Sequence, residues 1–306
     1  MIRTLIIGLG NIGFKFDRKN TKEKITHSSS IFHHKKFQLI GGVDKNLSNV
    51  NKFKKIYRVP GFKSLKKSLE NIKPDLIIFT TQPKINDILH LSKNNNIKFI
   101  LFEKPFIKNK IEIEKILKIT KHKKIFFTLN FQRNFSKKYI KLINNIKNGI
   151  IGNKFKTFCF YNKSFESNGT HFLNLINIYY NNIKKIRKIS KSKDDIYLKY
   201  KNGEAYFFKI AKNNYNNNCI VIYGDKGKIE ITSRPENCII YKKVKDNTYK
   251  KYFILKKTQT INLTSEHLQN NVLKNIYNVL KKNGKLLLKE KSLIEYLSTI
   301  NKIKSL

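Results

Sequence analysis

Thr4-Leu5-Ile6-Ile7-Gly8-Leu9-Gly10-Asn11-Ile12-Gly13 decides how the first part of this chain is read. A short apolar run, the strand candidate Arg3 to Gly8, leads straight into a Gly-x-Gly-x-x-Gly loop. After a strand, the first glycine permits the tight turn and the second lets the backbone approach a pyrophosphate. The third lets the following helix pack against the strand, with its N-terminus facing the anion. Gly8, Gly10, Asn11, Ile12 and Gly13 are therefore candidate cofactor contacts. Asp44 closes the next apolar run, Phe37 to Val43, where a carboxylate accepts hydrogen bonds from an adenosine ribose and repels a 2'-phosphate. NAD is the expected cofactor, with NADP the alternative. The usual gap to this acid is about 20 residues, whereas Asp44 follows Gly13 by 31. An insertion, roughly Lys15 to Ile25, is expected between the glycine loop and a helix around His27 to His34.

Beyond this stretch, short apolar runs continue to alternate with amphipathic ones, the pattern of a parallel sheet covered by helices. Strand candidates are Leu76 to Thr80, Phe99 to Phe102 and Ile125 to Leu129; helix candidates are Ser64 to Ile72, Ile85 to Asn94 and Ile111 to Lys121. This is a doubly wound α/β half. The texture changes near Phe131, where a helix from Ser136 to Asn148 stops at Gly149. Strand candidates then dominate: Lys154 to Tyr161, Ile196 to Tyr200, Ala205 to Ile210, Cys219 to Tyr223, Lys228 to Thr232, Cys238 to Lys243 and Lys250 to Leu255. Turn signals such as Asn202-Gly203 and Gly224-Asp225-Lys226-Gly227 separate them, so a largely antiparallel sheet is expected. Helices from about Ser265 to Lys282 and Lys291 to Lys302 follow. Two domains are expected, 1–122 for the dinucleotide and 123–306 for the substrate.

The chain has 306 residues, and 64 Lys plus Arg against 20 Asp plus Glu give a net charge of +44. Such a charge attracts polyanions. Yet only six basic residues are Arg, the side chain that reads phosphates and bases by its fork, and the lysines are spread along the whole chain. Two alanines, no tryptophan and abundant Asn and Ile accompany them, the mark of a composition biased toward AT-rich codons. No helix-turn-helix, finger or RNA-binding signature is present, so neither a nucleic-acid nor a membrane partner is expected. No apolar run approaches the roughly 20 residues of a membrane-spanning helix. Gly8 and Gly10 interrupt the first apolar stretch, so a secretory leader is not expected. Cys159, Cys219 and Cys238 fit no disulfide framework or CxxC motif, in keeping with a reducing cytoplasm. His27, His33 and His34 with Cys159 match no zinc template, and no metal is expected.

Glu103-Lys104-Pro105 follows the strand candidate Phe99 to Phe102, at a carboxyl end of the sheet, where open α/β folds bind ligands. A lysine among 58 is ordinarily solvated surface. Lys104 is set apart by its place between a carboxylate and a proline, where it can hydrogen-bond a substrate hydroxyl and take part in its deprotonation. Gly169-Thr170-His171 precedes the apolar run Phe172 to Ile176, which places an imidazole suited to proton exchange at a helix start.

The glycine loop, Glu103-Lys104-Pro105, the stretch Asn130 to Phe135, Asn148-Gly149-Ile150-Ile151-Gly152, Gly169-x-His171 and the stretch Tyr223 to Glu230 occur in the order seen in the glucose-fructose oxidoreductase and inositol dehydrogenase family, written Gfo/Idh/MocA. The chain resembles that family over nearly its whole length. Ile25-Thr26-His27-Ser28 and the stretch Asn168 to Phe172 resemble a subgroup associated with surface-polysaccharide or sugar-nucleotide pathways. The resemblance implies a Rossmann domain, and a second α/β domain whose open sheet serves dimerisation, giving a homodimer or homotetramer. It implies hydride transfer between a nicotinamide and a sugar carbon bearing a hydroxyl or keto group. The family's catalytic lysine falls on Lys104 and its histidine on His171. Glu103, Lys104, Thr81 and Gln82 fall on cofactor contacts, and Arg133, Asn168 and His171 on the substrate side. Thr81-Gln82 stands where members have Thr-Pro, Asn86 where a histidine is usual, and Ser167 where many carry an aspartate four residues before the histidine. Either Lys104 and His171 suffice, Asn168 or Glu166 contributes, or the chemistry is altered or lost. In that last case the chain is a non-catalytic NAD(H)-binding sensor or scaffold.

Overall fold

A computed structural model describes residues 1–17, 24–106, 108–180, 182–210, 218–233, 235–264, 268–288 and 290–306, leaving aside the side chains of residues 110 and 291. Its contacts divide into two compact units, 1–135 with 266–297 and 136–265 with 298–306. The sequence places a boundary at residues 122 and 123. The units instead divide after Phe135, because the strand Phe126–Leu129 hydrogen-bonds to Phe99–Phe102 and closes the first sheet.

In the first unit, β1 (Ile2–Ile7), β2 (Phe37–Val43), β3 (Gly61–Phe62), β4 (Leu76–Phe79), β5 (Phe99–Phe102) and β6 (Phe126–Leu129) form one sheet. Its order is β3-β2-β1-β4-β5-β6, and every pairing is parallel. This is the Rossmann order, with a crevice at the carboxyl ends where the winding reverses. Leu76–Phe79 and Phe99–Phe102 are apolar throughout because both faces are covered. Among the helices, α1 (His27–Phe32) is capped by Thr26, and α2 (Leu47–Tyr57) by Asn46. Ser64 caps α3 (Leu65–Asn71), and α4 (Ile85–Ser92) follows β4. A reciprocal Asn109–Glu112 box starts α5 (Lys110–His122). The sequence reading omits α2 and β3.

The second unit contains α6 (Lys137–Lys147), α7 (Thr170–Ile176) and an eight-stranded sheet. Its strands are β7 (Phe155–Tyr161), β8 (Ile183–Lys188), β9 (Ile196–Tyr200), β10 (Gly203–Lys209), β11 (Cys219–Gly224), β12 (Gly227–Thr232), β13 (Asn237–Lys245) and β14 (Phe253–Asn262). The order is β14-β13-β12-β11-β7-β10-β9-β8, antiparallel except between β7 and β10. On β7, Phe155, Thr157, Cys159 and Tyr161 are buried, and Tyr161 meets Phe165 and Phe172 edge to face. The alternate residues Phe158 and Phe160 lie half-buried on the other face, stacked on Tyr206 and Phe208 at 5.2 and 5.7 Å. That face is open.

Then follow α8 (Leu268–Lys281) and α9 (Glu290–Lys304). Val272, Leu273, Ile276 and Val279 of α8 are buried in the first unit's core with Ile6, Leu76, Ile78 and Leu101. An amphipathic helix goes where its apolar stripe is covered, so α8 belongs to the first unit despite its place in the chain. The expected helix start at Ser265, and most of the expected insertion, lie outside the described residues. No helix of the described residues is long and apolar enough to cross a membrane.

Candidate active site on the first unit

The carboxyl ends of β1, β2, β4 and β5 bring Gly8, Asp44, Thr81 and Glu103 to one edge of the parallel sheet. Gly8 has φ +97°, a conformation that favours glycine, and a Cβ there would lie 2.5 Å from Thr80 Oγ1. At Gly13 a Cβ would lie 2.1 Å from the Gly8 carbonyl oxygen, so the turn closes only without a side chain. Gly10 differs: its φ is −77°, and nothing lies within 4 Å of the place a Cβ would take. The protein itself does not demand glycine there. A glycine there leaves the backbone open to close approach from outside.

After Gly10 the chain winds into one wide turn, Asn11–Lys15, in which the N–H of Lys15 reaches the Gly10 carbonyl five residues back. A long helix is not formed here. The turn is held by Ser28 Oγ, which donates to the Gly13 carbonyl at 2.6 Å, so α1 buttresses the glycine loop. Asp17 accepts both the N–H and the hydroxyl of Thr26, which closes the stem of the inserted stretch.

Asp44 takes part in the loop as well. Its carboxylate accepts from the N–H of Leu9 at 2.7 Å, the N–H of Asn46 at 2.8 Å and the Asn49 amide at 3.2 Å. A carboxylate has about four acceptor directions, so one remains for a hydroxyl. The acid placed by sequence as a ribose contact is also the clamp that ties the glycine loop to α2.

Glu103 is nine-tenths buried. Oε1 lies 2.7 Å from His27 Nε2 and accepts from the Asn130 amide, which reaches Gln269 Oε1 at 3.2 Å. Oε2 accepts the backbone N–H of Lys104 at 3.1 Å. Lys104 is half-buried, and the Lys104–Pro105 bond is cis. The Gln82 amide donates to the Pro105 carbonyl, joining the loops after β4 and β5. Arg133 sits in the tight turn Gln132–Phe135 after β6.

Residues 2–131 match the model of an oxidoreductase family with an NAD-binding Rossmann fold, Gfo/Idh/MocA. Over these residues the chain is similar to that family. Solved structures share the whole fold: a dehydrogenase, MviM, from Clostridium difficile (15% identity, 99% of each chain covered, TM-score 0.71) and UDP-N-acetylglucosamine 3-dehydrogenase GnnA from Acidithiobacillus ferrooxidans (12%, 99% of this chain and 97% of that one, 0.73). A protein from Desulfitobacterium hafniense described as an NADPH-dependent oxidoreductase has a TM-score of 0.78 at 13% identity, covering 99% of this chain and 95% of its own. At these identities the likeness is one of fold. No curated protein matches the chain by sequence.

The first unit thus gathers the glycine loop, Asp44, Thr81, Gln82, Glu103, Lys104 and Arg133. His171 and Asn168 belong to the second unit. His171 is the second residue of α7, as its sequence context predicts, and is half-buried. The preceding turn, Phe165–Gly169, is pinned by Asp194. One carboxylate oxygen accepts the Phe165 N–H at 2.7 Å and the other meets Lys209 Nζ at 2.8 Å. Burial pushes the Asp194 carboxyl up, but the Lys209 and Phe165 bonds outweigh it and hold the group below its ordinary range. Ser167, where many family members carry an aspartate, accepts from Ser164 Oγ at 3.2 Å. Glu166 pairs with Lys304 at 3.1 Å, and the Asn168 amide donates to the Asn162 carbonyl.

Sequence reasoning missed His27, Asn130 and Gln269 as partners of Glu103. His27 figures there only as a metal ligand that fits no template and as part of a subgroup motif. His27 and Asn130 each stand in a sequence motif of their own, the one signal the sequence carries; their meeting at Glu103, 76 and 27 residues away, is a product of the fold.

Proposed function

We propose that this protein is an NAD-dependent oxidoreductase that moves a hydride between nicotinamide and a hydroxyl or keto carbon of a sugar, cyclitol or nucleotide sugar, in surface-glycan biosynthesis in the cytoplasm. The observation that carries this reading is the unencumbered Gly10, between two glycines the fold itself requires. It supports a backbone cradle for a pyrophosphate at the carboxyl edge of the sheet. Gly8 to Gly13 would hold that group, and the remaining acceptor direction of Asp44 would take a ribose hydroxyl. The negative charge of Asp44 favours NAD over NADP. When bound, the nicotinamide supplies the hydride chemistry. Lys104 hydrogen-bonds the reacting oxygen and takes or returns its proton, and His171 shares that proton. Glu103, Thr81 and Gln82 shape the cofactor side, while Arg133 and Asn168 bind substrate. The open aromatic face of the second unit supports a homodimer, as two stacked pairs there lie only half-buried. Phe158→Lys should then lower the mass in sedimentation equilibrium to that of one chain.

The test is titration with NADH and, separately, NADPH, followed by nicotinamide fluorescence in about 0.3 M salt, where nonspecific attraction to a +44 chain is screened. ATP serves as the anion control. Saturable NADH binding that ATP does not mimic is expected, followed by turnover within a panel of sugars and nucleotide sugars. Preference for NADPH would overturn the role of Asp44. Ser167 favours a second reading, a Rossmann protein that binds NAD(H) without turnover. Binding with no turnover across the panel would select it.

A further inference from the structure

Four polar side chains meet in the interior of the first unit: His27 from the start of α1, Glu103 after β5, Asn130 after β6 and Gln269 in α8. Their exposures are 1, 9, 2 and 4%. Burying a carboxylate among such groups is a poor way to gain stability, since apolar residues of similar volume usually do as well or better. The cluster does supply direction. Oε1 of Glu103 is held by His27 Nε2 and the Asn130 amide, so the carboxylate cannot rotate without breaking two buried hydrogen bonds. Oε2 is thereby aimed at one group, the N–H of Lys104. The main-chain N–H of Glu103 is fixed in turn by the Phe79 carbonyl at 2.8 Å. The residue carrying the amine therefore starts from a backbone anchored on both sides, although its own stem of four carbons is flexible.

We infer that His27 is a positioning residue for Lys104, acting through the Glu103 carboxylate, with Asn130 as the second prop. This rests on the reading of Lys104 as the catalytic lysine. His27 donates from Nε2 to Oε1; removing that donor lets the carboxylate turn, frees the Lys104 N–H and moves the origin of the lysine side chain. A displacement of about 1 Å can cost on the order of 100-fold in rate.

The test is competitive trace acetylation of all lysine amines with acetic anhydride, read peptide by peptide by mass spectrometry, in the wild type, His27→Leu, His27→Gln and Asn130→Ser. Amine reactivity follows both access and protonation, so a displaced Lys104 should label at a rate changed by about 3-fold or more relative to the other lysines. In His27→Gln, whose terminal amide restores a donor, the ratio should return most of the way. Turnover runs in parallel on the substrate found in the panel: His27→Leu should lower kcat by about 10-fold or more with KM and NADH affinity nearly unchanged. An unchanged Lys104 labelling ratio in His27→Leu and Asn130→Ser would overturn the inference, as would a fall in kcat that tracks loss of folded protein and is not relieved by Gln. Should His27→Leu not fold, the ratios in His27→Gln and Asn130→Ser decide: both unchanged would overturn it, and a change in Asn130→Ser with His27→Gln near wild type supports it. Retention of full turnover by Lys104→Ala is a separate outcome, which removes the catalytic reading of Lys104 and leaves the labelling result to stand by itself.

Discussion

The two units treat their polar groups in opposite ways. At the carboxyl edge of the parallel sheet, Glu103, His27 and Asn130 are at least nine-tenths buried and hydrogen-bonded to partners 27 to 139 residues away. Around His171, Ser167 and Asn168 are half-buried and lean on their own turn, through Ser164 and the Asn162 carbonyl. Long-range buried bonds hold one geometry against change. Local, half-exposed ones can be exchanged one residue at a time. The contrast is between a geometry fixed by distant segments and one set by a single turn.

Substitution at the lysine gives the largest effect expected on this contrast. Lys104→Ala should lower kcat by about 10² to 10⁴-fold, the usual worth of a positioned acid or base, while NADH affinity in the fluorescence titration falls far less. Equal loss of NADH binding would make Lys104 a cofactor contact only. Next come the glycines. Gly13→Ala forces a Cβ onto the Gly8 carbonyl and should cost about 2 kcal/mol or more in urea unfolding. Gly10→Ala should leave that stability unchanged or slightly raised, and weaken NADH binding about tenfold or more. Were both substitutions to destabilise alike, the case for a ligand at Gly10 would fail.

In the second unit Asp194 is one of the groups held by partners distant in sequence, here Phe165 and Lys209. Its folded pKa is depressed, so its stabilising contribution is present above the unfolded value near 4 and fades as pH falls through the lower, folded one. Asp194→Asn should therefore lower the melting temperature at pH 7 and lose that deficit progressively below about pH 4. A deficit independent of pH would mean that the side chain acts by shape alone. The smallest effect belongs to Lys304→Ala, which breaks the Glu166 pair. With both side chains more than two-fifths exposed, the change should stay within about 0.5 kcal/mol by urea unfolding.

Much of the parallel sheet was legible because its strands are buried on both faces and read as unbroken apolar runs. The glycine loop was legible because its spacing carries its own geometry. The helix α2 was not, since Asn46, Ser48, Asn49 and Asn51 mask the apolar positions Val50, Phe53 and Tyr57. Nor was β8, where lysines fill Ile183–Lys188 and the two half-buried isoleucines fall three apart, a spacing that does not alternate. The helix α8 was readable as a helix, but its unit is settled by which core covers Val272 and Ile276. In the candidate site, Lys104 and His171 were visible through their motifs. The partners of Glu103 were hidden because they come from separate segments and meet only after folding.

The Asp17–Thr26 clamp has a practical side. A single carboxylate ties Asp17 to Thr26 across the eight residues between them, so the strand before and the helix after are joined directly. Lengthening a loop whose ends are already tied adds little closure entropy, since each doubling costs roughly 0.6 kcal/mol. Residues inserted between Asp17 and Thr26 should therefore leave the folding stability nearly unchanged while that clamp is intact, an outcome urea unfolding checks.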